Sequence, residues 1–214
     1  MGFDISGLFV ISGSTDLRIA IHSSYVKEID DVKNINNTGN FDEKDFKSPI
    51  KTEILSVKTN SWINDVTFSP SGKFSFALTH DSTFIIIDNK NKTHNTVNLT
   101  NNSGKKIIPL SDNKVLIFTF DKEIIIYENI NGTWKLSPSN LEEIPPKMSS
   151  ESKQSVSTGG ILDRMKQFDD KEKLKKQDIS QVKSTHLSTI SSANVYNNEL
   201  ITSDFSGYLK KWKI

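Results

Sequence analysis

His80 beside Asp81 sets an imidazole next to a carboxylate, the pairing a general acid–base couple would need. Its surroundings argue for a structural turn contact instead. The stretch Ser61 to Asp88 reads SWINDVTFSPSGKFSFALTHDSTFIIID, and His80-Asp81-Ser82 divides two apolar runs where a tight turn is required. Elsewhere the residue types do not assemble into chemistry. No G-x-S-x-G, Walker loop or G-x-G-x-x-G occurs; Gly72-Lys73 is followed by Phe74. His22, His80, His94 and His186 lack metal-ligand spacing. The pairs Glu142-Glu143 and Asp169-Asp170 read as solvated charge. An enzyme is not expected, nor a cofactor or metal.

The elements around that turn define the chain. Ile63–Phe68 and Phe74–Leu78 alternate, Phe84–Ile87 is continuously apolar, and Pro70-Ser71-Gly72 supplies the first turn. Three short strands in an antiparallel meander cannot bury both faces alone, so stacked copies are expected. The copies are visible. Ile87-Asp88 lies six residues after Asp81, where a WD repeat carries its Trp-Asp pair. Tyr127-Glu128 follows Asp121 at the same spacing, His22-Ser23 follows Asp16, and Trp212-Lys213 follows Ser206-Gly207. The 40 residues from Asp81 to Asp121 match one propeller blade.

The expected units are 1–57, 61–99, 104–136 and 183–214. In the first, Leu8–Ser12 and Leu17–Ile21 are strands preceded only by a stub, a polar loop spans Asp30 to Lys47, and Thr52–Val57 closes the blade. Residues 138–182 interrupt the pattern. Pro138, Pro145, Pro146 and Ser149–Ser157 read as a mobile linker. Within Gly160–Lys176 the period changes: Ile161, Met165 and Phe168 fall at i, i+4, i+7 with Leu162 beside them, the apolar face of a short helix. Asp163 near its start and Lys171, Lys173, Lys175 and Lys176 near its end suit the helix dipole.

Lys+Arg 27 against Asp+Glu 26 gives +1, so no global field draws the chain to nucleic acid or anionic lipid. The absence of Cys suits a reducing compartment. Clustered Asn residues, Asn197-Asn198 among them, read as loop composition bias. Met1-Gly2-Phe3-Asp4-Ile5-Ser6 matches the myristoylation pattern, but Phe3 fits a first strand, and membrane attachment through Gly2 is not expected.

Several segments carry a resemblance to the WD-repeat subunit of the actin-related protein 2/3 complex, in its C-terminal part. Ser23-Ser24-Tyr25-Val26-Lys27-Glu28-Ile29 resembles that family's S-A-Y-I-K-E-V segment. Ser61-Trp62-Ile63 through His80-Asp81-Ser82-Thr83 resembles its G-W-V-H-G-V-x-F-S-x-x-G…H-D-S-T stretch. Arg164-Met165-Lys166-Gln167-Phe168-Asp169 falls where the family has R-F-Q-N-L-D, in the insertion before the final blade, and Asp178 to Trp212 resembles the last blade.

The resemblance implies an all-β fold of WD-repeat propeller blades. Of the family's about seven blades it implies about three and a half here, with a helical insertion before the last. It implies a non-enzymatic, cytoplasmic and cytoskeletal scaffold whose partners are actin, actin-related proteins and the complex's other subunits. Met165 and Phe168 would anchor the actin contact and Ile161 and Leu162 extend it, in a helix-in-groove mode. A generic WD-repeat interaction platform is the alternative. Two uncovered blade faces are expected to make the segment poorly soluble or oligomeric, and any completed fourth blade needs a strand from elsewhere.

Overall fold

Alternating and continuous apolar runs become strands throughout the computed structural model, which describes residues 1–30, 40–42, 44–99, 103–138, 141–144, 182–183 and 186–214. The protein is all-β: among the described residues the only helical turn is a 3-10 turn at Asp45–Lys47. The first sheet comprises β1 (Gly2–Phe3), β2 (Phe9–Gly13), β3 (Arg18–Ser23) and β4 (Glu53–Lys58). The second comprises β5 (Ile63–Phe68), β6 (Phe74–Thr79), β7 (Thr83–Asp88) and β8 (Thr93–Asn98). The third comprises β9 (Gly104–Ser111), β10 (Lys114–Thr119), β11 (Glu123–Ile130) and β12 (Thr133–Ser137). Each is an antiparallel meander in chain order.

The fourth sheet breaks that order. Its meander is β15 (Ile190–Tyr196), β16 (Glu199–Asp204) and β17 (Leu209–Lys213), and its outer strand is β13 (Glu142–Ile144). Glu142 pairs with Lys213 and Ile144 with Lys211, and Lys210 Nζ donates to Glu143 across the same seam. The needed strand therefore comes from within the stretch read as a linker. A two-residue strand, β14 (Val182–Lys183), adds to β11 from the other end of that stretch. The predicted helix Gly160–Lys176, with Ile161, Leu162, Met165 and Phe168, lies outside the described residues.

The sheets stack face to face in chain order, with three apolar layers between them. Phe9, Ile11, Ile19 and Ile21 meet Val66, Phe68, Ile85 and Ile87 in the first layer. Phe76, Leu78 and Phe84 meet Ile117, Ile125 and Trp134 in the second. Leu116, Phe118 and Ile124 meet Leu200 and Trp212 in the third. This explains why all of β6 and the middle of β7 are buried: both sides of the second sheet are covered. Gly104 marks a close approach, since a Cβ there would lie 2.7 Å from Leu78 Cδ2.

The terminal faces differ from the internal ones. Val10, Ser12, Ala20 and His22 share the far side of the first sheet. On the far side of the fourth, Ile201 lies among Glu199, Ser203, Lys211 and Lys213, and Lys211 pairs with Glu199 at 2.6 Å. Both outer faces mix apolar with polar side chains, Leu209 at 75% exposure beside Ile201 on the fourth, where the end units of a stacked array are ordinarily polar. No substantial strand contact joins the first sheet to the fourth among the described residues.

Two further readings change. The loop after β3 is not wholly polar, because Phe41 and Phe46 are buried from it, Phe41 stacking on Phe9 at 3.9 Å between centroids. Asn197 and Asn198 both adopt positive φ, 49° and 60°, and form the two-residue hairpin between Tyr196 and Glu199. Left-handed backbone favours Asn there, so this pair has a conformational task beyond composition.

Candidate interaction rim

One end of the stack is built from a turn used four times. It connects β2 to β3, β6 to β7, β10 to β11 and β16 to β17, with its last residue at positive φ: Leu17 (63°), Ser82 (65°), Lys122 (70°) and Gly207 (85°). Asp16, Asp81, Asp121 and Ser206, the positions read as anchors, occupy the middle of these turns and are exposed. The side chain holding each turn lies two residues earlier. Ser14 Oγ accepts from Asp16 N, Thr79 Oγ1 from Thr83 N at 3.2 Å, and Thr119 Oγ1 from Glu123 N at 3.1 Å. Asp204 Oδ1 accepts from Ser206 N and Tyr208 N at 2.9 and 3.0 Å. Asp81 instead accepts from the Thr79 hydroxyl.

The first turn position faces solvent and is aromatic in three sheets: His80, Phe120 and Phe205. Phe120 is 41% exposed and Phe205 71%. Trp62, 56% exposed at the entry to β5, stacks on His80 with centroids 5.3 Å apart, and His80 meets Phe120 edge-on at 6.3 Å. Lys105 Nζ sits over the Phe205 ring at 4.4 Å and donates to Ile190 O at 2.8 Å. Burial, with Lys106 alongside, pushes the Lys105 ammonium pKa down. The result is a row of exposed rings along one end of the stack, with Trp62, His80 and Phe120 in mutual contact and Phe205 beneath Lys105. His80 is a ring in this row, consistent with its reading as a turn contact rather than an acid–base partner.

Beneath the rim, the fourth sheet contains a buried polar chain. His186 Nδ1 lies 3.1 Å from Asp204 Oδ2 and His186 Nε2 lies 2.7 Å from Thr202 Oγ1. Trp212 Nε1 donates to Thr202 Oγ1 at 2.8 Å. One assignment satisfies every group: His186 donates from Nδ1 to Asp204, Thr202 donates to Nε2, and Trp212 donates to Thr202. Burial works to raise the Asp204 pKa, but Tyr208 N–H, the His186 side chain and the Ser188 and Ser206 N–H groups together hold it below the usual carboxylate value. Hydroxyl, imidazole and carboxylate are thus aligned as in a nucleophilic triad. Yet the His186 and Asp204 side chains are 0% exposed, and Trp212 covers the hydroxyl. No substrate reaches it; the network is a brace. Trp212 was read as a pair position, but the signal for the rest, His186, Thr202 and Asp204, is dispersed over 18 residues with no local period.

A cleft of about 430 Å³ opens at the opposite end, between the second and third sheets, lined by Lys73 and Trp134 with Asn95, Asn113, Asn129 and Asn131. Among the described residues no group of three or more His, Cys, Asp or Glu could hold a metal ion. No helix among them is long and apolar enough to cross a membrane.

Neither a protein-family model nor a curated protein matches the chain. Among solved structures it is similar in fold to the crystal structure of the computationally designed Ika4 protein. The two are 12% identical over 100% of this chain and 89% of that one, with a TM-score of 0.54.

Proposed function

We propose that this chain is a non-enzymatic scaffold of the β-propeller type, its four sheets serving as blades and its aromatic rim as a surface for protein partners. The observation that carries this reading is the row His80, Phe120 and Phe205, placed by one turn geometry repeated from sheet to sheet, with Trp62 stacked on His80. Exposed aromatic rings in a row are the composition of interface cores rather than of solvated surface.

Within that class, the resemblance supports a scaffold subunit of the actin-related protein 2/3 complex, in the cytoplasm and at the cytoskeleton. Two of the resembling segments present large apolar side chains to solvent, Ile29 at 80% exposure and Trp62. A neighbouring subunit would cover them. The contact with actin through Ile161, Leu162, Met165 and Phe168 rests on the resemblance alone. Affinity capture of the full chain from cytoplasmic extract tests the reading. Actin-related proteins should co-purify with the parent and be depleted with Trp62→Ala and Phe120→Ala. Recovery of other partners through the same rim would leave the generic platform, and capture insensitive to both substitutions would remove the rim from the account. In the assembled complex Phe168→Ala should weaken the actin contact by roughly thirtyfold.

A further inference from the structure

The outer edges of the four sheets are not equally protected. β13 is three residues long with Glu142 and Glu143. β4 carries Glu53 and Lys58 and a register shift opposite Ile21 and His22. β12 has Lys135 in its middle. These are the usual devices that keep an edge from pairing with another chain. β8, Thr-His-Asn-Thr-Val-Asn, has none of them: six residues, uncharged, without proline, in unbroken register with β7. Lys92, the flanking cation, is paired with Asp45 at 2.9 Å.

The hydrogen-bond phase of that edge is determined. Leu99 N donates to Ser82 O at 2.8 Å, continuing the register by which Thr83 faces Asn98. Antiparallel ladders alternate, so Thr93, Asn95 and Val97 bond inward to β7, while His94, Thr96 and Asn98 turn their N–H and C=O groups outward. We propose that β8 is a self-association edge: a second copy of this chain pairs its own β8 antiparallel to this one about a two-fold axis at Thr96. In that register His94 lies opposite Asn98 of the copy, Thr96 opposite Thr96, and Asn95 opposite Val97. The outward groups of one copy meet those of the other, no like charges face each other, and Thr–Thr is a favourable cross-strand pair. Paired about this axis, two copies present the same outward groups to each other with no opposed like charges, as an isologous contact demands. One strand pairing buries far less than a standard interface, so the dimer is weak and depends on concentration.

Sedimentation equilibrium of the full chain from about 1 μM to about 1 mM reads this directly. The parent should rise to about twice the monomer mass across that range. Thr96→Pro should weaken association by more than about tenfold with melting temperature unchanged, because it deletes an N–H that points outward and leaves the β7 ladder whole. Should proline disturb folding, a charge-swap pair decides. Thr96→Lys and Thr96→Glu should each be monomeric and an equimolar mixture should recover the dimer, since the two positions face one another across the axis. A parent that stays monomeric throughout overturns the proposal, as would a β8 edge that pairs only with a strand of another protein. A dimer indifferent to substitution at Thr96, or a mixture that does not recover it, overturns it equally.

Discussion

The second and fourth sheets form the same turn at the rim by different means. In the second, Thr79 caps the turn, and the positions behind it are Ala77 and Ile87, plain members of an apolar layer. In the fourth, Asp204 stands in place of Thr79, Thr202 in place of Ala77 and Trp212 in place of Ile87, and His186 joins the three into one buried chain. The backbone result is alike, with positive φ at Ser82 and at Gly207. In the second sheet, as in the first and third, a hydroxyl is the cap. Among the described residues the fourth is covered on one face only, and it takes its outer strand from a distant segment. Its polar brace stands on the covered face beside Leu200 and is fully buried, so its removal should cost more.

The sharpest way to break that comparison is a matched pair of isosteric substitutions. Thr202→Val removes the buried hydroxyl to which Trp212 Nε1 and His186 Nε2 bond and should lower stability by about 3 kcal/mol in urea unfolding. Thr79→Val removes a turn cap whose partners, Asp81 and the Thr83 backbone, reach solvent, and should cost about 1 kcal/mol. Equal losses would mean the brace is only another cap.

Acid should distinguish the two sheets by a smaller margin. The Asp204 pKa is depressed in the fold, so its contribution is complete above the ordinary carboxylate value of about 3.9 and is lost as pH falls through the folded value. Asp65, whose pKa burial raises, acts in the opposite sense and is relieved by acid. The parent should therefore lose melting temperature on acidification below about pH 4 more steeply than Asp204→Asn. Parallel profiles would show that Asp204 is not held as a carboxylate by the brace. Thr79 contributes nothing to such a profile.

The smallest effect concerns the turns themselves. Leu17 adopts the left-handed backbone that Gly207 adopts without penalty. Leu17→Gly should gain up to about 1 kcal/mol and Gly207→Leu should lose about as much, read from thermal unfolding. A loss at both sites would mean that packing, not backbone strain, sets the residue at this position.

Much of the fold was legible because its signals are local. The spacing from Asp81 to Ile87 and from Asp121 to Tyr127 marks a three-residue turn and the strand after it, and those strands are where the spacing places them. Less legible was the residue that holds the turn: Thr79, two residues before the Asp81 from which the spacing is counted, reaches the backbone beyond it. Rim aromatics at His80, Phe120 and Phe205 were visible as residues and not as a row, because adjacency across sheets depends on stacking.

By itself, then, the sequence determined the strands, the tight turns and the repeating unit, since each arises from side chains reaching neighbours a few residues away. Only the tertiary structure decided where the fourth sheet finds its outer strand. Glu142–Ile144 is too short and too charged for a periodic signal, and its value appears only beside Lys211 and Lys213, with Lys210 bonding Glu143 across 67 residues. The tertiary structure likewise decided that His186, Thr202, Asp204 and Trp212 converge, and that no strand among the described residues pairs the outer side of β8. Such pairings are non-local: the loop-closure entropy they cost is offset by burial and hydrogen bonds that exist only once the sheets have stacked.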